Sequence, residues 1–224
     1  MHLKIIKPSF TWHGEAPNGV AMLRSIATAG RVCYQSEANG KSDADFVRSI
    51  IARGHESVIE HEKISVRIIC DRGVTHEIVR HRVASYSQES TRYCNYSNNK
   101  FGAEVTFIDI SRGVELCPVT SKLAPEVIAE ILTHWMFACL DAQRHYMRML
   151  ELGASPQIAR SVLNNSTKTE IVVTMNLREW RHFFKLREAP AAHPQMREIA
   201  IPLLDMFREA VPVIFDDVGS EVDV

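Results

Sequence analysis

A short run of cationic and hydrogen-bonding residues is the part of this sequence best suited to ligand chemistry. Guanidinium groups bind phosphate through paired hydrogen bonds, and serine hydroxyls or backbone N–H groups in a tight loop complete such a site. The pattern indicates a ligand with two separated phosphate regions, or two phosphorylated ligands side by side. The residues are Arg80-His81-Arg82 and, in the polar segment after them, Ser85, Ser87, Gln88, Ser90 and Arg92.

The tripeptide is expected to end a helix that spans residues 74–82. Successive residues of a helix point about 100° apart, so Arg80, His81 and Arg82 would reach different parts of an extended ligand. A solvated basic helix end, favoured by the helix macrodipole, is the alternative, and the spacing alone leaves both interpretations open.

Hydrophobic periodicity and turn residues predict the elements that must position these side chains. A turn is expected at residues 71–73, and a functional or disordered loop at 85–100. The expected fold is α+β, a single domain over residues 1–224 with a mixed or antiparallel sheet flanked by helices. Strands are predicted at 2–6, 64–70, 101–110 and 170–175, and helices at 20–34, 43–53, 74–82, 125–152, 156–163, 177–187 and 194–211.

Composition excludes several classes of protein. A chain of 224 residues with 46% hydrophobic and 24% charged residues is long enough for one hydrophobic core. The net charge of -1 argues against nucleic-acid binding, which normally needs a broad basic surface. No apolar run approaches the ~20 residues of a membrane span. Five cysteines without a Cys-x-x-Cys pair, and residues 1–10 without signal-peptide character, predict a cytoplasmic protein with no membrane partner.

Arg80-His81-Arg82, seven further residues and then Ser90 resemble the signature of the flavin-dependent thymidylate synthases. The fuller run to Tyr93 is Arg-His-Arg-Val-Ala-Ser-Tyr-Ser-Gln-Glu-Ser-Thr-Arg-Tyr, which is far more specific than three residues alone. The resemblance spans most of the chain. It includes Gly54-His55-Glu56-Ser57, Glu60-His61, Ala159-Arg160, Met175-Asn176-Leu177-Arg178, His182, Leu186-Arg187 and Ala192-His193-Pro194-Gln195.

This resemblance implies an enzyme that methylates dUMP to dTMP, with methylenetetrahydrofolate as carbon donor and FAD reduced by NADPH. It also implies a homotetramer whose active sites are shared between subunits. The residues implied to contact FAD are Ser57, Arg80, His81, Arg82, Gln88, Asn176, Arg178 and His182. Those implied to contact dUMP are Glu77, Arg80, Gln88, Glu89, Ser90, Thr91, Arg92, Arg160 and Arg187.

Arg187 is the candidate catalytic residue within that set. Its planar guanidinium can address the two uracil carbonyls that flank N3 and stabilise negative charge on the ring. Ser90 is expected to bind phosphate or position the base, because a nucleophilic serine needs an adjacent base that the local spacing does not supply. None of the cysteines lies in the motif, so the electrons must come from the flavin.

Two other functions remain open from the sequence. A metal-dependent hydrolase could use the cluster of His55, His61, His76 and His81 with the neighbouring glutamates. The stretch His76-Glu77-Ile78-Val79-Arg80 fails the His-Glu-x-x-His pattern, however, since an arginine takes the place of the second histidine and would repel a dication. No metal is therefore expected. A non-catalytic oligomer that binds nucleotides is the second alternative.

Overall fold

A computed structural model of the chain describes residues 2–35 and 40–219. Within these ranges it contains strands and helices in an interspersed order. The strands are Lys4–Ile6 (β1), Ser9–Trp12 (β2), Lys63–Asp71 (β3), Ala84–Gln88 (β4), Thr106–Ile108 (β5) and Lys168–Asn176 (β6). The α-helices are Gly19–Tyr34 (α1), Asp43–Ala52 (α2), Arg72–Ile78 (α3), Ser111–Leu116 (α4), Pro125–Glu151 (α5), Pro156–Ala159 (α6), Leu177–Arg187 (α7) and Pro194–Ala210 (α8).

The strands form a four-stranded sheet in the order β2-β3-β6-β4, and β1 pairs in parallel with β5. In β3 and β6 buried residues alternate with more exposed ones, because successive side chains of a strand point to opposite faces. The buried set in β6 is Thr169, Ile171, Val173 and Met175. The structure combines helices with parallel and antiparallel strand pairing, which confirms the α+β class.

The chain divides into two compact units, which are described separately. The first unit comprises the described residues within Met1–Ser9, Ile68–Arg80 and Ser87–Ile171. The second comprises those within Phe10–Arg67, His81–Tyr86 and Val172–Val224. A single domain over residues 1–224 stays a prediction, and that range includes residues outside the described ones.

The core of the first unit is built on α5. Cys139, Ala142 and Tyr146 form one buried stripe of this helix, and Phe107 of β5 belongs to the same cluster. Gln143 lies beside the stripe, and its amide satisfies two backbone groups. Its Oε1 accepts from the Val105 amide at 2.9 Å, and its Nε2 donates to the His2 carbonyl at 2.9 Å. A buried amide is tolerated here because both ends are hydrogen-bonded.

The core of the second unit is aromatic and centres on α7. Trp180, Phe183 and Phe184 lie on one face of this helix and are fully buried. The Phe207 ring of α8 contacts Trp180 at a centroid distance of 4.9 Å, and Phe215 contacts Phe207 at 5.2 Å. The Trp180 indole N–H donates to the Ile64 carbonyl at 3.0 Å. The apolar face of α7 is thereby fixed, which determines where its polar face points.

Several local predictions need correction. The turn expected at residues 71–73 is wrong, because Asp71 caps α3 by accepting from the Val74 amide at 2.8 Å. The polar segment 85–100 begins as strand β4. The strand expected at 101–110 is limited to β5, since a 3-10 helix, Asn99–Phe101, occupies its start and ends at Gly102 with a left-handed φ of 77°. Helix α4 was not predicted.

Two further sequence expectations concern cysteines and membranes. Cys70 and Cys139 are buried, and burial raises the pKa of both thiols, whereas Cys33 is exposed. Along the described part of the chain, no helix has the length and apolar character needed to cross a membrane.

The guanidinium of Arg181 on α7 is buried and paired with two carboxylates of the second unit. Its Nη2 lies 3.0 Å from Glu56 Oε1 and 2.8 Å from Asp217 Oδ2, and its Nη1 lies 2.6 Å from Asp217 Oδ1. Nη1 also donates to the Ile214 carbonyl. A buried charge is tolerated only when it is paired in this way. These bonds attach the segment after α8 that contains Ile214 and Asp217, here called the C-terminal segment, to α7.

Asp217→Asn tests this attachment. The hydrogen bond to Arg181 holds the pKa of Asp217 below its ordinary value of 3.8. The stabilisation is therefore fully present above that value and is lost as the pH falls through the lower, folded-state pKa. We expect the substitution to lower the free energy of unfolding at pH 7 by about 1 kcal/mol, because Glu56 still pairs with Arg181.

Chemical denaturation between pH 7 and pH 3 measures this effect. The difference between Asp217→Asn and the unchanged protein should shrink toward acidic pH. Asp141→Asn, which breaks an exposed pair with Arg144 on α5, is the matched control and should have little effect. Equal stability of Asp217→Asn and the unchanged protein at pH 7 would contradict the assignment.

Candidate functional site

The Arg-His-Arg tripeptide lies beyond the end of α3 and not on the helix. Helix α3 ends at Ile78, and the Arg80 amide bonds to the Glu77 carbonyl at 3.1 Å, a three-residue turn that closes the helix. His81 and Arg82 then lead toward β4. The expected helical spread of about 100° therefore does not apply. Arg80 and Arg82 are exposed, whereas His81 is buried.

His81 joins two charged side chains of α7 within the second unit. Its Nδ1 lies 3.1 Å from Glu179 Oε1, and its Nε2 lies 3.1 Å from the Nε of Arg187. An arginine Nε–H can only donate, so His81 Nε2 must be the acceptor. The proton of the neutral ring then sits on Nδ1 and is donated to the carboxylate. The network thus assigns one tautomer.

The pKa of His81 is lowered from its ordinary value of 6.5. Burial of the ring is the main cause, and the positive charge of Arg187 and the neighbouring His182 act in the same direction. Glu179 opposes the shift by favouring the protonated ring. The environment of His81 therefore favours the neutral imidazole at neutral pH. The neutral ring is also the form that can accept the hydrogen bond from Arg187.

A cavity of about 530 Å³ lies in the second unit along the polar face of α7. Three residues implied to contact FAD line it, namely Asn176, Arg178 and His182. The other lining residues were not predicted to contact a ligand of this enzyme family, although Glu56, Glu60 and Val83 lie in segments that carry the resemblance. They are Glu56, Glu60, Val83, Glu179, Arg181 and Lys185. The helical spacing of Arg178, His182 and Lys185 was a signal available in the sequence.

Both signs of charge are present in this cavity. Arg178 Nη1 lies 2.6 Å from Glu60 Oε1, and its Nε lies 3.8 Å from Glu56. Arg178 is half exposed, so it can exchange this partner for an anionic ligand. Asn176 is held differently, since its side chain caps α7 by accepting from the Glu179 amide at 2.8 Å. Ser57, a further residue implied to contact FAD, lies exposed in the 3-10 helix Glu56–His61.

The first unit brings together several residues implied to contact dUMP. Ser90 opens a turn, in which its carbonyl accepts from the Tyr93 and Cys94 amides and its Oγ accepts from the Arg92 amide at 3.3 Å. Thr91 is buried, and its hydroxyl accepts from Arg160 Nη1 at 3.1 Å. This bond places a guanidinium beside the turn that carries Ser90 and Arg92.

Gln88 and Glu89 bond to side chains of the same unit. Gln88 Nε2 donates to the hydroxyls of Thr75 and Thr169 at 3.0 and 3.2 Å. Glu89 accepts from the Tyr96 hydroxyl at 2.7 Å and from Lys168 Nζ at 2.6 Å. Glu77 is half buried on α3. Roles of Gln88, Glu89 and Glu77 toward ligands stay predictions.

The metal interpretation finds little support in the geometry. Among the described residues, the group with metal-ligating atoms close together is His81, Glu179 and His182. Of the histidines considered from the sequence, it includes His81 and none of His55, His61 and His76. The guanidinium of Arg187 already bonds to the His81 ring, and its positive charge would oppose a cation there.

The fold class is shared with a nucleotide methylase of known structure. The crystal structure of a UMP/dUMP methylase, PolB from Streptomyces cacaoi bound with 5-Br UMP, superposes with a TM-score of 0.76 at 21% identity. The match covers 96% of this chain and 95% of that chain.

Sequence comparison defines the family. The family model described as Thymidylate synthase complementing protein (Thy1) matches residues 21–213. Flavin-dependent thymidylate synthases of Mycolicibacterium vanbaalenii and Geobacter sulfurreducens are each 35% identical to the chain. These matches cover 94% and 87% of this chain, and 84% and 81% of the relatives. The chain belongs to the family of flavin-dependent thymidylate synthases.

Substitutions of Asn176 separate its cap from any contact with a ligand. Asn176→Ala removes the acceptor of the Glu179 amide, and we expect the free energy of unfolding to fall by about 1 kcal/mol. Asn176→Asp retains an acceptor at the start of α7 and should keep most of the stability.

Thermal denaturation of the apoprotein measures both variants, and flavin affinity is measured separately. If Asn176 contacts the flavin as implied, Asn176→Asp should weaken FAD binding although the fold stays stable. An Asn176→Asp variant with unchanged FAD affinity would limit the residue to the cap.

Proposed function

We propose that this chain catalyses the reductive methylation of dUMP to dTMP, with methylenetetrahydrofolate as carbon donor and FAD reduced by NADPH. The observation that carries the proposal is the family match over residues 21–213, which contains the whole run from Arg80 to Tyr93. When bound, FAD would supply hydride transfer, and the side chains would supply binding, orientation and charge.

The cavity along α7 is the proposed place of flavin contact. Arg178, Lys185 and His182 offer donors for the phosphates or the ring of a dinucleotide, so the residues fit an anionic cofactor. The volume of about 530 Å³ lies in the usual range for ligand sites. Arg178 would leave Glu60 when it binds the cofactor. Proposed contacts from Ser57, Arg80, His81, Arg82 and Gln88 rest on the family resemblance.

The turn at Ser90 is the proposed cradle for the phosphate of dUMP. Arg160 is held by the Thr91 hydroxyl, and Arg92 follows Ser90 in the same turn, where its guanidinium lies over the Tyr93 ring. In the proposed cradle both guanidinium groups and the serine hydroxyl would bind one compact anion. In this arrangement Thr91 orients Arg160. Ser90 binds or positions the substrate. This role is compatible with the hydrogen bond that its Oγ accepts from the Arg92 backbone amide.

Arg187 is the proposed catalytic residue. A guanidinium facing the uracil carbonyls stabilises negative charge as it develops on the ring, which favours bond formation at carbon. Its Nε is fixed by His81, so the group is oriented before the substrate binds. This orientation is what the mechanism needs, because a preorganised charge requires no rearrangement during the reaction.

Assembly and location complete the proposal. We expect a homotetramer with shared active sites, a cytoplasmic location, and no nucleic-acid or membrane partner. The chain is proposed to fold as one flavin-dependent thymidylate synthase domain.

The purified protein tests this function directly. It should carry flavin absorbance, run as a tetramer in gel filtration with light scattering, and form dTMP when dUMP, methylenetetrahydrofolate and NADPH are all supplied. Omission of any one of the three should abolish product formation. A colourless protein that does not take up FAD would contradict the proposal, and dUMP binding without turnover would favour a non-catalytic oligomer.

Arg187→Lys tests the catalytic role. Lysine keeps the charge but loses the planar fork, so the rate of methyl transfer should fall by about 10-fold or more while dUMP affinity changes less. Reduction of the flavin by NADPH involves no uracil activation and should be nearly unaffected.

Stopped-flow measurements of flavin reduction and of reoxidation by dUMP and folate separate these steps. Arg48→Lys makes the same change at an exposed position of α2 and serves as the control. Equal impairment of both half-reactions by Arg187→Lys would indicate a structural role instead.

A further inference from the structure

We infer that Glu179 is a positioning residue for Arg187 and acts through the ring of His81. The carboxylate selects the imidazole tautomer that can accept a hydrogen bond from the guanidinium. The inference rests on the proposed function only for its effect on the reaction. The hydrogen-bond relay itself is a property of the folded chain and can be measured without turnover.

Spacing along α7 explains why a bridge is needed. Glu179 and Arg187 are eight positions apart, which corresponds to about 12 Å along the axis of a helix. His81 comes from the segment before β4, and its two ring nitrogens lie 3.1 Å from one side chain and 3.1 Å from the other. The ring therefore transmits the position of the carboxylate to the guanidinium.

The direction of each hydrogen bond makes the carboxylate necessary. A neutral imidazole carries one proton, and the Arg187 Nε–H requires that this proton be absent from Nε2. Glu179 stabilises the required tautomer because an ionised carboxylate can only accept. Without Glu179, the proton can move to Nε2, where it would face another N–H group. The bond to Arg187 would then be lost in that population.

The residues around the His81 ring limit its access to hydrogen-bond partners other than Glu179 and Arg187. Only 4% of the residue is exposed, and the Phe183 ring packs against it at a centroid distance of 5.0 Å. The Tyr86 hydroxyl donates to the His81 carbonyl, and burial raises the pKa of Tyr86 to about 12, which keeps it a donor. The tilted contact with Phe183 and the low exposure of the residue restrict the other orientations open to the ring.

Glu179→Ala is the principal test, with Glu179→Gln as the conservative variant. The Gln side chain keeps an oxygen that accepts from Nδ1, so it should retain most of the activity. For Glu179→Ala, we expect the rate of flavin reoxidation by dUMP and folate to fall about 10-fold, in line with the loss of one charge-assisted hydrogen bond. Glu179 also lines the proposed flavin cavity, so flavin reduction by NADPH is measured at saturating FAD and should fall less than reoxidation does. Glu209→Ala removes an exposed carboxylate of α8 and is the control.

A double-mutant cycle separates positioning from general damage. In the Arg187→Lys background, Glu179→Ala should cause little further loss, because the group that it positions has already been altered. The same fold loss in both backgrounds would overturn the inference, as would an unchanged reoxidation rate in Glu179→Ala.

The pH profile gives a further readout. Protonation of His81 removes its acceptor, so reoxidation should slow on the acid side. The ionisable groups that act on the ring are Glu179, His182 and Arg187 of α7, and Tyr86 of β4 donates to the His81 backbone carbonyl. Loss of the Glu179 charge in Glu179→Gln should move this acid limb to lower pH, because the carboxylate favours the protonated ring. An acid limb that does not move would count against the relay.

Nitrogen-15 NMR tests the relay independently of the reaction. The His81 ring should show a proton on Nδ1 in the unchanged protein and a mixture of tautomers in Glu179→Ala. If the unchanged protein and all variants fail to form dTMP but this tautomer change is seen, the proposed function is wrong and the relay stands. If turnover is normal and the tautomer is the same in both proteins, the relay is wrong.

Discussion

The buried ring of His81 is the interaction on which the arrangement around α7 depends. A neutral imidazole has one donor and one acceptor, and here the donor is directed to Glu179 and the acceptor to Arg187. Leaving either buried group unpaired would cost on the order of 1–3 kcal/mol. The three side chains therefore hold one another in place. The charge of Glu179, the tautomer of His81 and the orientation of Arg187 depend on one another. A substitution at one of these residues therefore alters the hydrogen bonds of the other two.

Helix α7 lies between the aromatic core of the second unit and the cavity on its polar side. Its inner face is fixed by Trp180, Phe183 and Phe184 in the aromatic core. With that face immobilised, the opposite residues have defined directions, and Arg178 and His182 line the cavity. Arg181 also lines the cavity, but its guanidinium is buried and bonds to both Asp217 and Glu56. The core contacts and the cavity-lining residues thus lie on different faces of one helix.

In the first unit, side-chain hydrogen bonds order a segment whose composition resembles a loop. Gln88 is held by two threonines, and Glu89 by Tyr96 and Lys168. The segment consequently continues a strand into the turn at Ser90. Polar residues that rarely form a core become ordered when each has a hydrogen-bond partner. Composition does not reveal these partners, so it could not decide between an ordered and a disordered segment.

Local chemistry determined much of this protein from its sequence. The bounds of α7, the start of α5 at Pro125 and the motif from Arg80 to Ser90 follow from caps, periodicity and residue identity, which need no distant partner. The end of α3 before Arg80, the burial of His81 and the partners of Arg181 were decided by tertiary structure. His81 meets Glu179 across 98 positions of sequence, and Arg181 meets Glu56 across 125. No periodic pattern encodes such contacts, because they arise only when the core fixes the faces of separate elements.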